Sequence, residues 1–210
     1  MSMKHFAIAG ILTPLLYFSM VIILGLLEPN YSHMTKMMSI LGGVGGIRGL
    51  VFNLGVSLVG VLSILFAIGL HKSINQGKGS KIGPILLSIG GIGLIGSGIF
   101  HCNLNCVNVI VEKNLIGSLH MLSAFIAGMC LSISPFFIFA RLKHDPRWKK
   151  YRPITLIVPI LANIPGIFLW VTLATTRFPA IEGLIQRLGI VFTLIWIGVM
   201  SIKMLKLSSK

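Results

Sequence analysis

The stretch IGPILLSIGGIGLIGSGIFHCNLNC, Ile82 to Cys106, carries the reading that decides the fold. Up to Phe100 it holds no charged side chain. Then His101, Cys102, Asn103, Asn105 and Cys106 follow almost without interruption. An unbroken apolar run of about 20 residues is what an α-helix needs to cross roughly 30 Å of hydrocarbon. Five further runs of that kind flank this one, Ala7–Leu27 and Gly49–Leu70 before it, Gly117–Ala140, Pro153–Thr175 and Gly183–Ile202 after it. With 55% hydrophobic residues, 10% charged residues and a mean hydropathy of +0.94, the composition excludes a water-soluble domain. The expected fold is all-α: a polytopic membrane protein, a bundle of six transmembrane helices forming one membrane domain over residues 1–210.

Lys4 before the first run raises the question of a signal peptide. The run is longer than the 7–15 residues typical of such a segment, and no small-x-small cleavage site precedes Glu28. It is read as a retained first span.

The charges orient the bundle. With the N-terminus in the cytoplasm, the inner segments hold Lys4, Lys72, Lys78, Lys81, Arg141, Lys143, Arg147, Lys149, Lys150, Arg152, Lys203, Lys206 and Lys210. The outer segments hold only Lys36, Arg48, Lys113, Arg177 and Arg187. The bias toward a positive inner side predicts a plasma-membrane protein with both termini cytoplasmic. Inner basic loops beside anionic headgroups then account for the net charge of +14 without a nucleic-acid partner.

Span three is dense in glycine, with Gly83, Gly90, Gly91, Gly93, Gly96 and Gly98. In lipid such a surface lets neighbouring helices approach closely, which argues that this span is central and surrounded. Gly42-x-x-x-Gly46 and Gly45-x-x-x-Gly49 lead into span two in the same style. Pro159 and Pro165 are expected to kink span five and free backbone carbonyls.

In this orientation the polar groups after Phe100 lie at the outer end of span three. Three readings compete there: a metal site, a loop pinned by a disulfide, and the lip of a pocket. His101, Cys102 and Cys106 are ligand types, with His120 and His33 on the same side, but their spacing is looser than zinc pairs usually show. No metal and no other cofactor is expected. An oxidising location favours a Cys102–Cys106 disulfide; a helix continuing through both would hold them too nearly parallel to bridge. Cys130 lies mid-span and reads as a packed thiol.

Asn53, His120, Gln186 and Arg187 stand one turn inside the outer ends of their spans. Each has a structural reading: interhelical glue for Asn53, a hydrogen-bonded core residue for His120, snorkelling for Arg187. Gathering at one side favours a shared pocket. The segment Glu28–Arg48 is apolar enough to fold back over the bundle mouth, bringing Tyr31, Ser32 and Ser39 toward it.

The order of short motifs carries a resemblance. PNYSHMTKMMSILGG precedes span two and FNLG opens it; GIFHCNLNC ends span three, a histidine opens span four and EGLIQR opens span six. This set is similar to the six-span prokaryotic membrane proteins known as domain of unknown function 998, over nearly the whole chain. A fainter similarity runs to the eukaryotic six-span Frag1/DRAM/Sfk1-like proteins, linked to autophagy and lipid distribution. The resemblance marks Tyr31, Ser32, Ser39, Leu41, Gly42, Asn53, Phe100, Cys102, Asn103, His120, Gly183, Leu184 and Arg187. The family pattern has acids where this chain has Asn103 and Gln186, and proline where it has His101. If family members work through those carboxylates, this one lacks the proton-transferring groups.

The expected function is therefore an outward polar pocket that binds a lipid headgroup or a membrane partner protein. It would be built from Arg187, Asn103, His120, Asn53, Tyr31, Ser39 and Glu182, with Arg187 gripping an anion through its planar fork. A lipid-modifying hydrolase with His120 as base and Ser39 as nucleophile is the alternative, with Glu182 the one acid near the mouth. A small-molecule transporter is a third possibility, although no inverted repeat or intramembrane acid pair is visible.

Overall fold

The computed structural model describes residues 1–74, 81–102, 115–175 and 179–208, with backbone alone for 174, 175 and 179. Six long helices account for most of them: α1 Met3–Leu27, α2 Ile47–Ser73, α3 Ile82–Ile99, α4 Leu115–Leu142, α5 Arg152–Thr175 and α6 Glu182–Ser208. Each carries an apolar window long enough to cross a membrane. The chain is a six-span helical bundle. The boundaries follow the apolar runs to within a turn or two, and α6 continues past Ile202 through Lys203 and Lys206. Long cationic side chains reach the interface from such an extension while their stems stay in lipid.

Consecutive helices pack as neighbours, and α6 closes the ring against α1. At one end Phe6, Gly69 and Met204 meet, bringing together the start of α1 and the ends of α2 and α6. At the other end Gly25 of α1 lies against Tyr31 and His33. These are called the terminal end and the loop end below.

The glycines of α3 do permit close approach. Gly91 faces Gly60 of α2, Gly90 faces Leu131 of α4, and Gly93 lies against the backbone of Ser123 and Ala127. The span is not surrounded, however. Its contacts are chiefly with α2 and α4, and Ile85, Ile89, Ile92 and Ile99 lie exposed on its remaining face. Glycine on two flanks serves two neighbours in a ring as well as it would serve a central helix. Gly42–Gly49 likewise does not extend a helical seam: Gly46 takes φ 75° and turns the chain into α2. Helix α5 runs on through Pro159 and Pro165, and Asn163 Nδ2 donates to the Pro159 carbonyl at 2.7 Å.

The terminal end is tied by side chains to the C-terminus of α2, where the last carbonyls have no helical partner. Arg141, only 3% exposed, donates to the carbonyls of His71 at 2.8 Å and of Ile74. Arg147 Nη2 donates to the Ser73 carbonyl at 3.0 Å and pairs with Asp145 at 2.7 Å. Trp148 Nε1 reaches the same Ser73 carbonyl at 3.4 Å.

Candidate functional site

At the loop end, residues 28–46 fold back onto the bundle, as their apolar content predicts. A short 3-10 helix, Met38–Gly43, buries Met38, Leu41 and Gly42. Asn53 of α2 donates from Nδ2 to the Gly42 carbonyl at 2.9 Å and so holds this turn against the bundle. The first turn of α6 holds the rest of the loop. Leu184 N–H donates to the Met34 carbonyl at 2.9 Å, and Gln186 Oε1 accepts the Met38 N–H at 2.6 Å. Arg187 donates to the carbonyls of Lys36 at 2.9 Å and Gly183 at 2.8 Å, and to the Tyr31 hydroxyl at 2.6 Å.

Arg187 Nη2 also lies 3.1 Å from His33 Nδ1. A guanidinium can only donate, so Nδ1 must be the acceptor and the ring neutral. Burial and then the Arg187 charge lower the His33 pKa from its ordinary value. Burial raises that of Tyr31, partly offset by the same arginine.

His120, in the second turn of α4, is 5% exposed. Its Nδ1 lies 2.7 Å from the Phe100 carbonyl and 3.1 Å from that of Ser97, both at the end of α3. Carbonyls accept, so Nδ1 carries the proton and Nε2 is left as an acceptor. The histidine thus closes a helix C-terminus and presents a basic nitrogen elsewhere.

Behind it lies a cavity of about 210 Å³ walled by α2 through α6, with Tyr17 of α1 and Met37 and Ser39 of the loop at one end. Most of its wall is apolar. Ser39, Ser97, His120 and Gln186 supply polar groups toward the loop end, and Ser132 and Asn163 at mid-span. Among the described residues, none that lines it is charged. Ser97 is 8% exposed, and its Oγ has no hydrogen-bond partner among the described residues. This is the least satisfied position in the wall.

The predicted site is therefore only partly assembled. Ser39 and His120 share the cavity; Arg187 and Tyr31 do not line it, nor does Asn53. Arg187 borders a different, apolar groove with Phe18, Val21 and Ile22 of α1. Its two terminal nitrogens are spent on the loop and on the Gly183 carbonyl, while Nε is buried with no partner among the described residues; loop carbonyls need such donors in a setting that offers little water. Glu182 is buried in the first turn of α6 and is not on the cavity wall. Asn103 and Cys106 lie outside the described residues. Cys102 is fully buried beside Met37 and is engaged, while Cys130 is a free thiol. Among the described residues, no three His, Cys, Asp or Glu side chains converge.

Sequence reasoning passed over Ser97, Ser132 and Asn163. Asn163 could have been found: it is an amide between Pro159 and Pro165 in the middle of a span, and Ser132 Oγ donates to its Oδ1 at 3.0 Å. It also passed over Arg141, counted as a loop charge and in fact buried.

The family model described as Protein of unknown function (DUF998) matches residues 11–203. The chain belongs to the DUF998 family. No curated protein and no solved structure matches it. Of the positions that carried the DUF998 resemblance, Tyr31, Gly42, Asn53, Gly183, Leu184 and Arg187 all take part in fastening the loop. At Gln186 the side chain acts as an acceptor for Met38, a role that an amide and a carboxylate both fill.

Proposed function

We propose that this protein is a plasma-membrane protein, with cytoplasmic termini, that binds an uncharged membrane amphiphile in its central cavity. The hydroxyl or ester of the ligand would sit against Ser97, His120 and Ser39, with hydrocarbon against the apolar wall. One observation carries this reading: Ser97 borders a largely apolar cavity, and its Oγ is buried with no partner among the described residues. A buried hydroxyl in that state costs on the order of 1–3 kcal/mol, which a ligand supplying the missing bond would recover. The uncharged lining argues for a neutral polar group over the anionic headgroup expected at Arg187. The excess of Lys and Arg at the terminal end supports the orientation.

The test is lipid extraction and mass spectrometry on protein purified in mild detergent, comparing wild type with Ser97→Ala. The variant removes a hydroxyl that makes no bond within the protein, so its thermal stability should equal or exceed that of wild type. Retained neutral lipid should fall roughly fivefold, the scale of one net hydrogen bond. Protein that carries no lipid, or carries the same amount after Ser97→Ala, overturns the reading.

Hydrolysis of the ligand is a second reading, favoured because Ser39 and His120 line one cavity and His120 is fixed with Nε2 as its basic nitrogen. Fatty acid released from a monoacylglycerol by wild type and not by Ser39→Ala would establish it. Among the described residues no carboxylate lies on the cavity wall to orient the histidine; backbone carbonyls do so.

A further inference from the structure

We propose that the ligand is a single-chain amphiphile drawn laterally from the bilayer through a window between α4 and α5, with its tail left projecting through that window. The inference rests on the cavity being a binding site, as proposed above, and names the access route and the shape of what it holds.

The α4–α5 seam is the thinnest in the ring of neighbouring helices. Two contacts cross it at different heights. Toward the loop end the rings of Phe125 and Trp170 meet edge to face with centroids 5.0 Å apart. Toward the terminal end Ser132 and Asn163 exchange hydrogen bonds of 3.0 and 3.2 Å. Between these contacts lie Gly128 and Gly166, near the middle of both helices. A Cβ built on either would meet nothing within 4 Å. Every glycine on α3 is the reverse case, with a neighbour close enough to clash. Here the missing side chains leave a gap.

The gap joins the two surfaces. Gly128 and Gly166 line the cavity, and so does Ile167, which is 63% exposed on the membrane-facing side. Anything passing at this depth arrives through hydrocarbon and not through water. The cavity's volume of about 210 Å³ falls below the roughly 300–1,000 Å³ of sites that enclose a whole drug-sized ligand. That accommodates a polar head and a few methylenes, not a whole lipid. With Ser97 and His120 drawing the head toward the loop end, the rest of the chain leaves by the nearest opening.

The experiment uses full-length protein in phosphatidylcholine vesicles and two monoacylglycerol probes, one with a diazirine beside the head and one with it at the chain end. After irradiation, labelled peptides are mapped. The head-side probe is expected on inner-wall residues such as Ala127, Leu169 and Leu194, and the tail-end probe on Met129, Ile164 and Ile167. In Gly128→Leu/Gly166→Leu, whose side chains enter open space, the rate of inner-wall labelling should fall about tenfold, a barrier increase of about 1.4 kcal/mol. Labelling of the α1 surface at Leu15 and Ile22 should not change. Each single variant is measured as well, so that one misfolded protein does not decide the outcome. Equal inner-wall labelling in wild type and the leucine variants would overturn the window and leave the cavity reading standing. Absence of inner-wall labelling in wild type would overturn both.

Discussion

The two ends of the bundle solve one problem with different margins. At the terminal end Arg141, Arg147 and Trp148 take up the carbonyls that α2 leaves open, and Asp145, 1% exposed, neutralises one of the cations. At the loop end Arg187 and His120 do the same for loop 28–46 and for α3. Both ends use donors that reach far along the chain, since a carbonyl facing lipid has no water to turn to. The difference lies underneath. The loop-end donors sit above a cavity with an unsatisfied hydroxyl in its wall. Polar residues at helix ends therefore do not by themselves mark a site here, nor does a leftover polar atom such as Arg152 Nε or Arg187 Nε; the pairing of a leftover atom with the central cavity, as at Ser97, does.

That contrast is broken most severely at Arg141. Replacing it with alanine strands the His71 and Ile74 carbonyls in a buried setting. At about 1–3 kcal/mol for each stranded group, the loss should be on the order of 3 kcal/mol or more. The expected outcome is a large drop in thermal midpoint in detergent and poor recovery of folded protein, with Arg141→Lys only partly rescuing because the ammonium lacks the fork. A midpoint close to wild type in the alanine variant would mean that the terminal end is not held as described.

His120 comes next. His120→Leu leaves the Ser97 and Phe100 carbonyls without their donor and should cost about 2 kcal/mol. His120→Gln keeps a donor while removing the basic nitrogen, so it should recover most of that stability. If both variants are equally unstable, the contact with the end of α3 is not what the histidine contributes.

The six spans were legible because each apolar run is both long and nearly free of charge, and the bilayer imposes that length on any helix crossing it. The loop-end location of Asn53, His120 and Arg187 was legible for the same reason. Their partners were not. Arg187 bonds to the backbone of Lys36, and a carbonyl leaves no trace in side-chain identity. Arg141 read as a loop charge because it borders the cationic run Lys143–Arg152, yet it is the last residue but one of α4 and turns inward. The glycines of α3 announced close approach; whether Gly128 and Gly166 close a seam or open one depends on what faces them, which only the fold decides.

Arg187→Lys sharpens the comparison from the other side. It keeps the charge but loses the fork joining Lys36, Gly183 and Tyr31, at a cost of about 1 kcal/mol that falls on the loop rather than the bundle. Limited trypsin digestion should cut faster at Lys36 while the thermal midpoint moves little. A midpoint loss as large as that of Arg141→Ala would show that the loop is part of the cooperative core.

The smallest expected effect is a pH dependence confined to the loop end. His33 accepts from Arg187 at Nδ1, which it can do only when that nitrogen carries no proton. Its pKa in the folded protein is lowered, by burial first and by the Arg187 charge second. Between that lowered value and the ordinary value of about 6.5, the released loop binds more protons than the fastened one, so fastening weakens as pH falls through this range. The Tyr31 ring, 5.1 Å away edge-on, and Gly25 of α1 lie close by, and neither offers a carboxylate to offset a second cation beside Arg187. His33 is only partly buried, so the effect should be modest and screened by salt. Hydrogen exchange at the Leu184 and Met38 amides, corrected for intrinsic pH dependence, should show less protection at about pH 5.5 than at about pH 7.5. His33→Gln keeps an acceptor that cannot titrate and should abolish the difference. Protection that stays constant in wild type, or that still varies in His33→Gln, would remove His33 from the fastening of the loop and leave Arg187 to hold it through backbone carbonyls and Tyr31 alone.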